Sequence, residues 1–406
     1  MNFYLGGRIV MKKILALVLV AVMALSMFAA CGETTPATTD APVDGGNDVV
    51  DAGTITLGGI GPTTGGAAIY GTAVMNAMKL AVDEINAAGG VNGMKFEALW
   101  QDDEHNAEKS VNAYQTLMDK GMQVLIGTVT SAPCIAVVAE AELDNIFMIT
   151  PSGSAVDAIA APNAFRVCFS DPNQGVGAAD YIKNNNVGEK VAVIYNVSDP
   201  YSNGIYEKFA AQAGSIGLEI VAAEAFTNDS ATDFSVQIQK VKDSGADLLF
   251  LPIYYEAAAL ILDQANSAGL DVKYFGCDGL DGVIGQLGDK AALAEGVMLL
   301  TPFAADATDD KTVAFTTAYK NAYGEIPNQF AADAYDAVYI VKAAIEAAGI
   351  KNADISCSDL CDAIIEQMAT LKFDGVTGLM TWDVETGEPT KEPKAMVIKD
   401  GAYAAM

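Results

Sequence analysis

From Thr54 onward, the sequence alternates short apolar runs with longer stretches whose apolar residues recur at helical spacing. Thr54–Ile60 has the pattern of a buried strand, and the stretch 74–88 has the pattern of a helix that ends at Gly89 and Gly90. The further strand-like runs are Phe96–Trp100, Val124–Ile126, Phe147–Ile149, Val191–Tyr195, Leu218–Ala222, Leu248–Leu251 and Val272–Phe275. Helical patterns separate most of them, and this alternation predicts right-handed βαβ units on parallel sheets.

The length of the alternating region favours two sheets over one. The chain has 406 residues, and domains commonly hold about 100–200 residues each. Near the end, the Ala-rich stretch Ala331–Ala348 is helical in pattern and is followed by the apolar run Thr377–Val384. Their late position indicates that the chain returns to a lobe begun earlier. The sequence therefore predicts an α/β protein with two lobes, each built on a parallel sheet.

The charge of the chain excludes one broad class of function. The sequence carries 52 acidic and 23 basic residues, for a formal net charge of −29 at pH 7. Nucleic-acid binding needs clustered Lys and Arg that displace the counterions of phosphates, and no basic stretch of this kind occurs in the sequence. We therefore expect no nucleic-acid partner.

The first 31 residues have the pattern of an export signal. Met11-Lys12-Lys13 is followed by the uncharged apolar run Ile14–Leu25 and then by small residues up to Cys31. An apolar run of this length is typical of a secretory signal peptide and is short for a membrane span. We expect translation to start at Met11 and residues 1–30 to be the signal peptide.

The residues around Cys31 predict how the protein is held at a membrane. Phe28-Ala29-Ala30-Cys31 resembles the lipobox of bacterial lipoproteins, in which the cysteine becomes the lipidated first residue. An ordinary signal peptide with an incidental cysteine is the alternative. Residues 31–53 are rich in Thr, Pro, Asp and Gly, and we expect them to form a flexible tether. Attachment through a palmitate-type lipid anchor would then be the only contact with the membrane.

Metal binding and catalysis find little support in the sequence. The five other cysteines are odd in number, which argues against a full disulfide framework, and Cys357 and Cys361 lack a neighbouring histidine for a metal site. His105, the single histidine, follows three acidic residues, but acids near a helix start are favourable without a metal. Neither a Gly-x-x-x-x-Gly-Lys-Ser/Thr loop nor a Gly-x-Ser-x-Gly elbow occurs. We predict that the protein is not an enzyme and uses no metal or cofactor.

In α/β folds, ligands bind at loops that leave the carboxyl ends of strands, often between domains. Ser131, Ser152 and Ser154 lie in such loops, where hydroxyl and backbone N–H groups could hold a carboxylate. Asp278 follows another strand and could pair with an ammonium group. The aromatic residues that could wall an apolar slot are Tyr70, Tyr201, Tyr254 and Phe330. Taken singly, each of these residues has an ordinary alternative as a helix N-cap, a solvated turn residue or a core side chain.

At these loops the sequence resembles the branched-chain amino-acid-binding proteins of ABC importers, which are type I periplasmic solute-binding proteins. The stretches that carry the resemblance are Ala81–Gly90 with Val91-Asn92-Gly93, Asp102-Asp103, Ile126-Gly127, Met148–Pro151, Ile261–Ala265, Ala268–Leu270 and Gly378–Asp383. The resemblance implies two Rossmann-like lobes joined by a hinge. Residues 54–172 and 302–381 would form the first lobe, and residues 173–301 and 382–406 the second.

The resemblance also implies roles for the loop residues. Ser131 and the loop Ser152-Gly153-Ser154 would hold the α-carboxylate of an amino acid, and Asp278 of the second lobe would meet its ammonium. Leucine-binding relatives carry the longer Glu at that position, so Asp278 could admit a larger or differently placed ligand. The residues that match or neighbour the side-chain pocket are Tyr70, Val129, Thr130, Tyr201, Tyr254 and Phe330. Cys134 does not coincide with the cysteine of the family's first-lobe disulfide, so that bond is not carried over.

The function that this resemblance implies is transport. We expect an extracytoplasmic lipoprotein that closes on an amino acid with an aliphatic side chain and delivers it to the permease and ATPase subunits of an ABC importer. A different small ligand in the same fold, such as an aromatic acid, an amide or a urea, is one alternative. A ligand-sensing lobe for a signalling partner is another. A surface hydrolase that uses His105 is the third.

Overall fold

The computed structural model describes residues 52–391 and 393–406. The predicted signal peptide, the predicted lipidation site Cys31 and nearly all of the predicted tether lie outside these residues. The described chain forms two large sheets with helices packed on both faces of each. This architecture confirms the α/β class and the two parallel-sheet lobes that the alternating pattern predicts.

The first lobe is built on a five-stranded sheet. Its strands are β1 (Thr54–Gly61), β2 (Lys95–Asp102), β3 (Val124–Gly127), β4 (Phe147–Thr150) and β5 (Ala164–Arg166). All pairs are parallel, in the order β2-β1-β3-β4-β5. β3 and β4 are buried at every residue, which is why their sequences are continuous apolar runs without alternation. β5 has only three residues, too few for the sequence pattern to predict it.

The second lobe is built on a seven-stranded sheet that includes the end of the chain. The remaining strands are β6 (Lys190–Asn196), β7 (Glu219–Phe226), β8 (Leu248–Leu251), β9 (Lys273–Gly276), β10 (Met298–Thr301), β11 (Phe373–Gly375), β12 (Gly378–Met380), β13 (Trp382–Asp383), β14 (Glu388–Pro389), β15 (Lys394–Lys399) and β16 (Ala402–Ala405). The second sheet has the order β16-β15-β10-β9-β8-β6-β7, in which β15 and β16 are antiparallel to their neighbours. β11-β12 and β13-β14 are separate two-stranded pairs.

Helices on both faces bury the two sheets. The α-helices are α1 (Ala68–Ala87), α2 (Ala107–Asp119), α3 (Ser131–Leu143), α4 (Asp171–Asn184), α5 (Pro200–Ile216), α6 (Ser235–Ser244), α7 (Tyr255–Ser267), α8 (Val283–Leu287), α9 (Asp310–Tyr323), α10 (Gln329–Ala347) and α11 (Cys357–Met368). On the first sheet, α1, α10 and α11 pack on one face and α2 and α3 on the other. On the second sheet, α4 and α5 pack on one face and α6 and α7 on the other. Within residues 52–391 and 393–406, no helix is both long and apolar enough to cross a membrane.

The chain passes between the two sheets three times: after β5, after β10 and after β14. The pair β13-β14, which the sequence places in the second lobe, packs against the first lobe instead. Trp382 is buried in the first-lobe core, and its Nε1–H donates to the carbonyl of Arg166 at 2.8 Å. A buried indole needs an apolar environment and one acceptor, and the first lobe provides both. The last crossing therefore follows Pro389.

A buried ion pair ties the first and last crossings together. The ammonium of Lys391 donates to the carboxylate of Asp333 at 2.7 Å, to the carbonyl of Val167 at 2.8 Å and to the hydroxyl of Thr377 at 2.8 Å. The side chains of Lys391 and Asp333 are only 3% and 2% exposed. Because Val167 follows β5 and Lys391 follows β14, this ammonium fixes two of the three connecting segments against α10.

We predict that Lys391→Met lowers the free energy of unfolding by about 3–5 kcal/mol, because it leaves Asp333 as an unpaired buried acid. Urea denaturation followed by circular dichroism measures the change. The matched control is Lys311→Met, which removes a surface pair with Asp374 whose side chains are about half exposed or more and should cost less than about 1 kcal/mol. Equal losses in the two variants would contradict a structural role for the Lys391 ammonium.

Candidate ligand-binding site

The candidate site is the cleft where the loops after β3 and β4 of the first sheet meet the loops after β8 and β9 of the second. Hydrogen bonds across this cleft hold it closed. The Tyr70 hydroxyl, on α1 of the first lobe, donates to the Gly279 carbonyl at 2.6 Å and accepts from the Tyr255 N–H at 3.2 Å. The structure brings all of the predicted ligand-binding residues to this cleft, where all are buried except Tyr254, which is partly buried.

Three serines of the first lobe differ in how their hydroxyls are used. Ser131, at the start of α3, accepts from the N–H of Ala155 at 3.1 Å, so its own hydrogen remains available for donation. Ser152 donates to the Val129 carbonyl at 2.6 Å and therefore connects two loops of the protein. Within the described part of the chain, the buried hydroxyl of Ser154 has no hydrogen-bond partner. Ser131 is thus free to donate to a ligand, and Ser154 can donate either to a ligand or to the neighbouring carboxyl of Asp171.

A buried guanidinium fixes the backbone of the Ser152–Ser154 loop. Arg166, on β5, is fully buried and donates to the carbonyls of four consecutive residues, from Gly153 to Val156, at 2.5–3.4 Å. An ion pair to Glu388 at 3.2 Å balances its charge. Gly153 is required here, because a Cβ at this position would lie 2.3 Å from the Sγ of Cys134. The guanidinium of Arg166 therefore positions this loop by binding its backbone carbonyls.

On the opposite side of the cleft, the carboxylate of Asp278 lies directly after β9. Its Oδ1 accepts from the Tyr201 hydroxyl at 2.7 Å, and that hydroxyl accepts from the N–H of Gly279 at 2.9 Å. The backbone N–H of Asp278 donates to Oε1 of Gln174 at 3.1 Å. Burial raises the pKa of Asp278 to about 7. An ammonium brought against this carboxylate would favour its ionised form.

Two residues from elsewhere in the chain hold the loop that carries Asp278. Gln329, at the start of α10, donates its Nε2–H to the Asp278 carbonyl at 2.8 Å and its backbone N–H to the carboxylate of Asp281 at 3.1 Å. Tyr403, on the last strand β16, accepts from the N–H of Gly282 at 2.8 Å and donates to the Leu280 carbonyl at 3.3 Å. The position of Asp278 therefore depends on the end of the chain.

Asp171 is a candidate that the sequence did not reveal. It opens α4 and is buried, and neither of its carboxylate oxygens has a hydrogen-bond partner among the described residues. Its backbone N–H donates to the Ser154 carbonyl at 2.9 Å, which places it beside the Ser152–Ser154 loop. Burial raises the pKa of Asp171 well above its usual range, the neighbouring Ser154 side chain acts to lower it, and nearby Asp278 raises it further. An Asp followed by Pro is an ordinary helix start, so the sequence held no signal that distinguished it.

Aromatic rings from both lobes form one wall of the cleft. Tyr70 packs against Phe330 with a ring-centroid distance of 4.2 Å and meets Tyr254 edge to face at 5.7 Å. Tyr254 stacks on Tyr201 at 4.5 Å with nearly parallel rings. Val129 belongs to the same apolar cluster. This wall suits an uncharged, apolar ligand side chain.

The acids near His105 are used by the turn that carries this histidine. Asp102 accepts from the N–H of Thr63 at 2.9 Å and from the N–H of Glu104 at 3.0 Å, and Asp103 accepts from the N–H of His105 at 2.9 Å. In the chain that the structure describes, no group of three or more His, Cys, Asp and Glu side chains could hold a metal ion. The acids therefore act as acceptors for backbone N–H groups.

The fold and the site define a class of protein: two α/β lobes that enclose a small molecule in a buried, polar cleft with an apolar wall. The chain belongs to the periplasmic binding protein family, whose model matches residues 54–402. This confirms the family resemblance found in the sequence.

Individual relatives agree with this assignment. The chain is 32% identical over 301 residues to a Leu/Ile/Val-binding protein of Rhizobium johnstonii, which covers 73% of this chain and 80% of the relative. It is 28% identical over 302 residues to the leucine-, isoleucine-, valine-, threonine- and alanine-binding protein of Pseudomonas aeruginosa, covering 73% of this chain and 79% of the relative. These relatives are named as binding proteins, in agreement with the prediction that the chain is not an enzyme.

A solved structure extends the similarity to three dimensions. The branched-chain amino acid transporter substrate binding protein of Streptococcus pneumoniae, in complex with isoleucine, superimposes with a TM-score of 0.78 at 29% sequence identity. The superposition covers 87% of this chain and 98% of the other. The fold predicted from the resemblance is therefore confirmed over nearly the whole described chain.

The buried carboxyls of this protein lead to a prediction for its pH dependence. Burial raises the pKa of Asp103, Asp199 and Asp278 to about 7 and that of Asp281 and Asp333 to about 6. In the unfolded chain these groups titrate near pH 4. Between about pH 4 and pH 7 the folded protein therefore binds more protons than the unfolded chain, and its stability falls as the pH rises through this window.

We expect the Tm of the ligand-free protein to be higher at pH 5.5 than at pH 8, as measured by differential scanning calorimetry. Burial lowers the pKa of His105, which acts in the opposite direction, but the carboxyls with raised pKa values outnumber this single histidine. Asp278→Asn removes one of these ionisations and should flatten the profile. A Tm that rises steadily with pH would contradict the burial of these carboxyls.

Proposed function

We propose that this protein is the extracytoplasmic substrate-binding component of an ABC importer and that it binds an aliphatic, branched-chain amino acid. One observation carries this proposal: free hydroxyl donors on the first lobe face buried carboxylates on the second, across a closed cleft with an aromatic wall. A zwitterion with an apolar side chain satisfies all three features at once. The names of the Leu/Ile/Val-binding relatives and of the isoleucine complex support the same ligand class.

The ligand carboxylate would bind at the first lobe. Ser131 has its hydroxyl hydrogen free and begins α3, where the backbone N–H groups and the helix dipole favour a negative charge. Ser154 contributes a second, unpartnered hydroxyl. Ser152 and Gly153 support this arrangement through their contacts with Val129 and Arg166. Of the predicted carboxylate-binding residues, we therefore assign direct contact to Ser131 and Ser154.

The ligand ammonium would bind at the second-lobe side, between Asp278 and Asp171. Asp278 is held by Tyr201, while Asp171 has no partner within the described residues. One ammonium neutralises one carboxylate, and the raised pKa of the other lets it remain protonated and serve as a hydrogen-bond donor or acceptor. The ligand side chain would lie against Tyr70, Val129, Thr130, Tyr254 and Phe330.

Transport would follow from closure of the two lobes. Tyr70 bonds to Gly279 only when the lobes meet, so ligand binding and closure stabilise each other. The closed form would be the one that a membrane permease and its ATPase recognise. The signal-like residues 11–30 and the lipobox-like Cys31 support attachment to the outer face of the cell membrane through a lipid anchor.

A thermal-shift screen tests the ligand class. The protein is unfolded and refolded to remove any carried ligand, and its Tm is measured with each of the twenty amino acids, their amides and small aromatic acids. A ligand at about 100 times its Kd stabilises by about 2.7 kcal/mol, which raises Tm by several degrees. Stabilisation by leucine, isoleucine or valine supports the proposal. Stabilisation by an aromatic acid or a urea alone would overturn the assignment of an ammonium site.

We predict that Asp278→Ala weakens binding of the amino acid at least about a hundredfold, since an unpaired buried ammonium costs about 3–5 kcal/mol. Isothermal titration calorimetry measures the affinity. Asp171→Asn should also weaken binding, because it replaces the second carboxylate that faces the ammonium. Wild-type affinity in both variants would mean that the ammonium binds elsewhere.

The three serines provide an internal comparison. Ser131→Ala and Ser154→Ala should each weaken binding of the amino acid by about 1–3 kcal/mol, since each removes a hydrogen-bond donor to the buried carboxylate of the ligand. Ser152→Ala should lower Tm and leave the affinity less affected, because its hydroxyl bonds to Val129. If Ser152→Ala had the largest effect on affinity in calorimetry, the assignment of direct contacts would be wrong.

A further inference from the structure

His105 is the single histidine of the chain, and the proposed function assigns it no role. It lies in the turn between β2 and α2, where Glu104 and His105 both have positive φ, 51° and 57°. Left-handed backbone is uncommon for residues other than glycine and requires support from the surroundings. Hydrogen bonds from the backbone N–H groups of Glu104 and His105 to Asp102 and Asp103 provide it. The turn therefore holds the imidazole in one fixed place.

That place is the boundary between the lobes. Nδ1 of His105 lies 2.8 Å from the hydroxyl of Thr130, which belongs to the first lobe. The imidazole meets the ring of Tyr254, which belongs to the second lobe, edge to face at a centroid distance of 5.3 Å. The histidine thus contacts both lobes, and its contact with Tyr254 exists only when the cleft is closed.

Tyr254 connects His105 to Asp278, on the side of the cleft where the ligand ammonium is proposed to bind. Tyr254 stacks on Tyr201 at 4.5 Å, and the hydroxyl of Tyr201 donates to Asp278 at 2.7 Å. A line of direct contacts therefore runs from Thr130 through His105, Tyr254 and Tyr201 to Asp278. Burial lowers the pKa of His105, so the imidazole in this line is neutral near pH 7.

We propose that His105 is a positioning residue of the closed cleft, whose imidazole is held by Thr130 and fixes the ring of Tyr254 over the ligand as the lobes close. The inference rests on the proposed function, since Tyr254 walls the amino-acid side chain there. The hydrogen bond to Thr130 lies within the first lobe and orients the imidazole, whereas the favourable edge-to-face contact with Tyr254 crosses the cleft and stabilises the closed form. His105 would therefore slow release of the ligand without touching it.

Proton NMR tests the contact directly, because one histidine gives one set of imidazole signals. We expect saturation of the purified protein with L-isoleucine to shift these signals as Tyr254 comes to lie against the ring. In Tyr254→Leu the shift should be largely lost. Unmoved signals in wild-type protein that binds isoleucine by calorimetry would overturn the inference and leave the proposed function intact.

Calorimetry with L-isoleucine measures the consequence for affinity. His105→Asn should weaken binding about tenfold, which corresponds to about 1.4 kcal/mol, and combining it with Tyr254→Leu should add little to the loss from Tyr254→Leu alone. Glu104→Gln is the matched control in the same turn, because Glu104 is exposed and pairs with Lys109; it should bind like the wild type. Additive losses would overturn the inference. Failure of isoleucine to bind wild-type protein would overturn the proposed function and this inference with it.

Discussion

The burial of carboxylates that the protein does not itself neutralise is the constraint on which this molecule depends. Asp278 has a hydroxyl partner, Tyr201, and Asp171 has none within the described residues. Desolvation of an ionised carboxylate is costly, and a protein bears it only where a counter-charge or a proton is available. A proton on the carboxyl is one way to avoid this cost, and burial favours it by raising the pKa of both groups. A cationic ligand group is the other way, and so the carboxylates whose burial opposes closure would favour closure around a cationic group.

The two lobes carry buried groups of opposite charge, and these groups lie at different distances from the cleft. On the first lobe, the buried guanidinium of Arg166 lies behind the Ser152–Ser154 loop and is separated from the cleft by the carbonyls that it holds. On the second lobe, the carboxylates border the cleft. A zwitterion would therefore enter in one orientation only. The ammonium of Lys391 holds the connecting segments in a similar way, through one carboxylate, one carbonyl and one hydroxyl.

Much of the fold could be predicted from the sequence, because the strands that form the sheet centres are buried and therefore leave continuous apolar runs. The serines and Asp278 were found because they directly follow such runs. Three features were not predictable in this way. Asp171 has the local sequence pattern of any helix start. Trp382 is held in the first lobe by a hydrogen bond to the carbonyl of Arg166, which is far away in the sequence. For the acids beside His105 the sequence favoured a role at the helix start over a metal site, and only the turn geometry reveals that they accept from backbone N–H groups.

The route of the chain has a consequence for the order in which the protein becomes functional. Tyr403 lies on β16 and follows every other residue of the cleft in the chain, and it holds the loop that carries Asp278 through Gly282 and Leu280. During synthesis, this tyrosine leaves the ribosome after every other part of the cleft. A nascent or partly exported chain would thus lack the lock on its ammonium side and would hold an amino acid weakly. The ammonium side of the binding site is in this sense completed last, after every other part of the cleft has been synthesised.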